Sequence, residues 1–182
     1  MNAITSIGTL AANGPFDDAC RRVNEWRGRC MHALSCAEDA VTKCLVVLAQ
    51  VPDRGLTVRL QHLIGQRYDA LCVAVAADGA FAHEGRAASV ALQSMLTHAT
   101  FRNEICHGVA KVAVDRSDRW VLVLRTTTLR ANRMERSTLV VEEAEGAQQL
   151  IELIRASRDL CSKLGMLRKQ FEPTAGISAD MM

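Results

Sequence analysis

The sequence predicts a mainly α-helical bundle of four to five helices with one β-hairpin inserted before the last helix. Three observations lead there. Apolar residues recur at steps of three and four through most of the first 107 positions, the spacing of one helix face. Near Trp120 the pattern changes to β-branched and apolar runs. After Glu142-Glu143 the helical spacing returns. A chain of 182 residues is expected to form one domain with a hydrophobic core.

Pro15-Phe16 opens the first helix, whose apolar stripe includes Phe16, Cys20, Val23, Cys30, Leu34, Ala37, Val41, Cys44, Leu45 and Leu48. Gly28 is the point at which such a long helix would bend. The stripe stops at Val51-Pro52-Asp53-Arg54-Gly55, a cluster of chain breakers. Thr57 is a candidate N-cap for a second helix carrying Leu60, Leu63, Ile64, Leu71, Cys72 and Val75, closing at Asp78-Gly79. A third helix starts near Gly85, buries Leu92, Met95, Leu96 and Ala99, and runs on through Arg102 to His107, with Gly108 as its stop. Trp120–Arg125 and Ser137–Val141 read as two antiparallel strands joined by a long polar loop, Thr126 to Arg136. A last helix buries Leu150, Ile151, Ile154, Leu160 and Leu164. The domain is expected over 15–165, between an N-terminal extension, 1–14, and a loose C-terminal tail, 166–182.

Apolar residues make up 49% and charged residues 23%, an ordinary globular balance. No run approaches the ~20 apolar residues of a membrane span, and the first residues lack a basic and apolar secretion signal. A cytoplasmic chain that makes no membrane contact is the expectation. The seven cysteines form no C-x-x-C pair, so reduced, mostly buried thiols are expected rather than a zinc site. Gly-rich phosphate loops, nucleophile elbows and H-E-x-x-H are lacking, which removes the corresponding hydrolase classes. No metal or cofactor is called for.

Charge is unevenly spread. Between Arg102 and Arg136 stand eight basic and four acidic residues, a local balance of +4 that leaves −2 for the rest of a +2 chain. Such a segment suits a polyanion. Arg130, Arg133 and Arg136 are its candidate substrate-binding residues; a solvated Arg-rich surface is the plainer alternative.

The most informative stretch is Phe101-Arg102-Asn103-Glu104-Ile105-Cys106-His107-Gly108. Arg grips phosphate in a fixed fork, and His moves protons near neutral pH. RNA cleavage without metal needs a base for the 2′-hydroxyl, an acid for the leaving 5′-oxygen and positive charge on the phosphorane. His107 serves the first needs and Arg102 the last. Asn103, one helical turn before His107, is placed to fix the imidazole. On one helix Arg102 and His107 lie about 140° apart and roughly 7.5 Å apart along the axis, which favours a site completed by a second copy. A purely structural helix end, with His107 answering the helix dipole, is the competing account.

His98, one turn before Arg102, is a further candidate for substrate binding. Glu38 and Asp39 on the first helix are candidate acid–base groups, although a solvated face explains them more simply. Trp26 and Trp120 are too distant in sequence to suggest a base-stacking platform.

Arg102-Asn103-x-x-x-His107-Gly108 resembles the R-x4–6-H signature of the HEPN superfamily in its R-N-x-x-x-H-G form. The order of elements around it, a long first helix, further helices into the motif, a short β element and a closing helix, is similar over Phe16 to Leu164. The resemblance implies an HEPN-like helical bundle and a metal-independent endoribonuclease, a toxin or defence component in many members. It also implies Arg102 and His107 as the catalytic pair supported by Asn103, a homodimer, and a regulatory or antitoxin partner. The alternatives are a non-catalytic HEPN-like dimerisation or RNA-binding module, and a helical interaction protein with no nucleic-acid role.

Overall fold

The structure, a computed structural model, describes residues 14–130 and 133–172. The first helix, α1, spans Pro15–Ala49, about 50 Å at ~1.5 Å per residue. Its start has no side-chain cap; Pro15 instead presets the first turn, and Asp17 and Asp18 meet the positive end of the dipole. A short 3₁₀ turn, Arg54–Thr57, precedes α2 (Ile64–Val75), α3 (Ala82–Leu96) and α4 (Ala99–His107). Three antiparallel strands follow, β1 (Val109–Val114), β2 (Trp120–Arg130) and β3 (Arg133–Glu142), in sheet order β1-β2-β3. The closing helix, α5, covers Glu143–Lys169. The mainly α class with a β element before the last helix is therefore the observed one.

The two long helices form the spine. Arg22 binds Glu143, Trp26 Nε1 donates to the Gly146 carbonyl at 2.6 Å, and Ser157 Oγ donates to Ala33 O at 2.6 Å. Positions rise together along these pairs, so α1 and α5 run in the same direction, an arrangement the intervening helices and sheet make room for. Gly146 is the close-approach residue, because a Cβ there would stand 2.5 Å from Trp120 Cη2. The Trp26 ring packs 5.4 Å from Trp120 and 6.0 Å from Phe101. The fold thus brings the two tryptophans together, but inside the core at 6% and 3% exposure, where neither presents a face to a base.

One side of the sheet packs inward through Val112, Val114, Trp120, Leu122, Leu124 and Val141. Leucines buried to this degree each contribute about 1.5–3 kcal/mol of transfer free energy.

Five expectations need correction. Ile151, expected on the buried side of the last helix, and Phe16, on the stripe of the first, are exposed at 55% and 54%. The second helix starts at Ile64 rather than Thr57, and Leu60 and Leu63 are exposed at 61% and 59%. Arg67 holds the non-helical approach through the carbonyls of Gln61 and His62. The third helix is two: Thr97 Oγ1 turns back to the Ser94 carbonyl at 2.8 Å, and a new helix begins from His98, leaving Ala99 exposed. The sheet gains β1, and the polar segment Thr126 to Arg136 is an extension of the hairpin, paired out to Arg130↔Arg133. Finally α5 continues through Gly165 to Lys169, with Leu167 buried and Phe171 stacked edge-on against Phe81 at 5.4 Å. The outer parts of the expected extension and tail, 1–13 and 173–182, lie outside the described residues.

Candidate functional site

Helix α4 positions the motif and runs antiparallel to α1. Arg102 faces Glu38, Cys106 Sγ lies 3.5 Å from Met31 Sδ, and Arg27 Nη2 donates to the Ile105 carbonyl at 3.0 Å. That last contact puts a cation on the otherwise open carbonyl end of the helix. Gly108 then turns the chain into β1. Its φ of −71° is open to any residue. The need for glycine is space, since a Cβ would sit 2.4 Å from Glu104 O and 3.1 Å from Leu124 Cβ.

Arg102 is the centre of the site. Its Nε donates to Glu38 Oε1 at 3.0 Å, and its Nη1 donates to Asn103 Oδ1 at 3.3 Å. Both members of the ion pair retain about a quarter of their exposure, 26% and 27%, so the guanidinium is oriented yet still open to solvent. Glu38 therefore belongs to the site, and Asp39 does not: it pairs with Lys43 one turn along α1. The signal for Glu38 lay in its helical neighbourhood with Leu34, but its partner stands 64 residues away.

Beside Arg102 opens a cavity of about 280 Å³ between α1, α2, α3 and α4. Leu34, Ile64 and Met95 give it apolar walls, while Glu38, Asp69, His98, Arg102 and Asn103 supply polar groups. Burial holds the His98 imidazole below its ordinary pKa, opposed by the Glu152 carboxylate, and so favours the neutral ring. The Tyr68 hydroxyl, also lining the cavity, is pushed up, first by burial and then by the charge of Glu38. Tyr68 stays a hydrogen-bond donor at any physiological pH.

His107 does not line this cavity. It is exposed on the last turn of α4, and among the described residues its ring makes no hydrogen bond. The expected Asn103–His107 contact is absent there, because the Asn103 carbonyl oxygen serves Arg102. Five positions of uninterrupted helix separate Arg102 from His107, so the helical offset expected from the sequence applies. One chain thus places a guanidinium beside a cavity and an imidazole on a nearby surface.

The expected trio of arginines is not one patch. Arg133 and Arg136 are both exposed on β3, but their odd spacing sends them to opposite faces. Arg133 shares the face of Ser137, which reaches toward α4; Arg136 shares the outer face with Arg125 and Lys111 by register. Arg130 is the backbone partner of Arg133, and its side chain lies outside the described residues.

Sequence reasoning missed Glu104. It is buried at 8% and accepts hydrogen bonds from Thr126 Oγ1 at 2.6 Å and Ser137 Oγ at 2.5 Å. The motif helix is thereby fastened to the hairpin through an acid inside the motif. Its signal was available: Phe101, Glu104, Ile105 and Gly108 follow the helical spacing of an inward face.

Among the described residues there is no group of three or more His, Cys, Asp or Glu able to hold a metal ion, and no helix long and apolar enough to cross a membrane. Comparisons with family models, curated proteins and solved structures returned no match.

Proposed function

We propose that the chain is an HEPN-like, metal-independent endoribonuclease whose active site is completed by a second copy. The observation that carries this reading is the presentation of Arg102. Glu38 takes its Nε, Asn103 takes Nη1 weakly, and the outer edge of the guanidinium stays open beside the cavity of mixed apolar and polar lining. That edge suits two non-bridging phosphate oxygens. An exposed His107 on the same helix then supplies the proton transfer, from the partner copy of a paired site.

In this mechanism His107 takes the proton of an RNA 2′-hydroxyl as its oxygen attacks the adjacent phosphorus. Arg102 balances the charge that gathers on the phosphorane. The bond to the 5′-oxygen breaks, that oxygen receives the proton His107 took from the 2′-hydroxyl, and the products are a 2′,3′-cyclic phosphate and a 5′-hydroxyl. Glu38 positions Arg102. The neutral His98 and the Tyr68 hydroxyl provide hydrogen bonds to the bound strand. A toxin or defence role under a regulatory partner accords with the family resembled.

The second reading is a non-catalytic RNA-binding or dimerisation module. It is favoured by the ion pair itself, since a guanidinium held by a carboxylate has less to give to phosphate.

The experiment is cleavage of a labelled single-stranded RNA in excess EDTA. Intact chain should yield cyclic-phosphate ends, and Arg102→Ala and His107→Ala should each lose about 10²–10⁴ in rate. A requirement for Mg²⁺, or 5′-phosphate ends, overturns the mechanism. RNA bound but uncut supports the module, and no RNA binding at low salt supports an interaction protein without a nucleic-acid role.

A further inference from the structure

The seven cysteines are all free thiols, and they are not equivalent. Cys30 and Cys44 are buried, and burial pushes both thiols up to about 12. Burial also raises Cys72, Cys106 and Cys161. Cys36 is the exposed one. It sits one turn past His32 on α1, its Sγ 3.7 Å from the ring Nε2.

Both side chains face a groove of about 650 Å³ between α1 and α5, whose rim carries Arg29, Arg158 and Glu25. The volume is that of a small-ligand site. Neither arginine makes an ion pair among the described residues, so both guanidiniums are available to carboxylates. The imidazole in contact with the sulfur gives the thiol proton an acceptor at the moment of attack, and the two arginines line the same groove. The groove is also separate from the Arg102 cavity, because positions 36 and 38 point about 200° apart on a helix.

We propose that this groove is a thiol–disulfide exchange site, at which Cys36 takes up one half of a small anionic disulfide of the glutathione type. His32 accepts the Cys36 proton, and the thiolate attacks one sulfur of the incoming disulfide. The old S–S bond breaks, and its electron pair leaves with the departing thiolate, which takes the proton from His32. One thiol and one disulfide give one mixed disulfide and one thiol. Arg29 and Arg158 hold the carboxylates of the peptide. Cys161 does not compete: its Sγ donates to the Cys36 carbonyl at 3.5 Å, and burial keeps it protonated.

The test exposes the folded chain at low ionic strength to glutathione disulfide, neutral hydroxyethyl disulfide and cationic cystamine. Adducts are located by peptide mass spectrometry, with each rate normalised to the denatured chain. Cys36 should be modified ahead of the other six cysteines, with glutathione disulfide favoured over cystamine roughly tenfold. That preference should shrink in an Arg29→Ala/Arg158→Ala variant and in about 1 M salt, whereas His32→Ala should slow all three reagents alike. Equal normalised rates for the anionic and cationic reagents overturn the proposal, as does a Cys36 no faster than Cys20. A Cys36–Cys161 disulfide in place of the mixed disulfide also overturns it.

Discussion

Glu38 and Arg102 stand 64 residues apart in the chain and 3.0 Å apart in space. The contact joins α1 to the motif helix and settles the direction of the guanidinium. Both groups keep part of their hydration, so the pair contributes orientation more than stability.

Glu38→Gln should therefore change unfolding free energy by less than about 1 kcal/mol, measured by urea denaturation. The amide still accepts from Arg102 but carries no charge, so RNA cleavage should fall through a less well held guanidinium. If Arg102 acts only as a structural partner of Glu38, the cleavage rate will not move.

Glu104 ties the motif helix to the hairpin, and its loss leaves Thr126 and Ser137 only each other as hydrogen-bond partners, so that one hydroxyl loses its acceptor. Glu104→Ala should cost about 1–3 kcal/mol. Combined with Ser137→Ala, the loss should be less than additive, with a coupling of about 0.5 kcal/mol or more. Additive losses in denaturant titrations would mean that the two side chains do not act together.

Burial lowers the pKa of His98 in the folded chain. The unfolded chain then binds its proton more readily, so this contribution to stability is complete above about pH 6.5 and is lost as pH falls toward the folded-state value. His98→Asn should flatten stability against pH in that window and leave the region above it unchanged. An unaltered slope would show that the imidazole is not desolvated.

Much of the fold was legible. The start of α1 at Pro15 and the stop at Gly108 rest on local chemistry, and the 3.6-residue period carries through α1 and α5. Reading failed where tertiary contacts decide. Leu60 and Leu63 look like a helix face, yet Arg67 ties down the carbonyls that a helix would have used. Val109–Val114 is short and follows a helix directly, and its strand character comes from pairing with β2. The polar Thr126 to Arg136 resembles a loop because its two faces have little core to meet; Thr126 and Ser137 are held by an acid on α4 instead. At the site, Arg102 was visible from its motif. Glu38 was not distinguishable from a solvated acid, because the cation that orients it comes from a distant helix.

The proposed ribonuclease site takes Arg102 from one copy and His107 from another. It is tested most directly by mixing two inactive chains, Arg102→Ala and His107→Ala, after they have exchanged partners. Random pairing puts one intact site in each mixed dimer, so cleavage should return to about a quarter of the wild-type rate. No recovery from the mixture, alongside an active wild-type chain, would contradict the shared site.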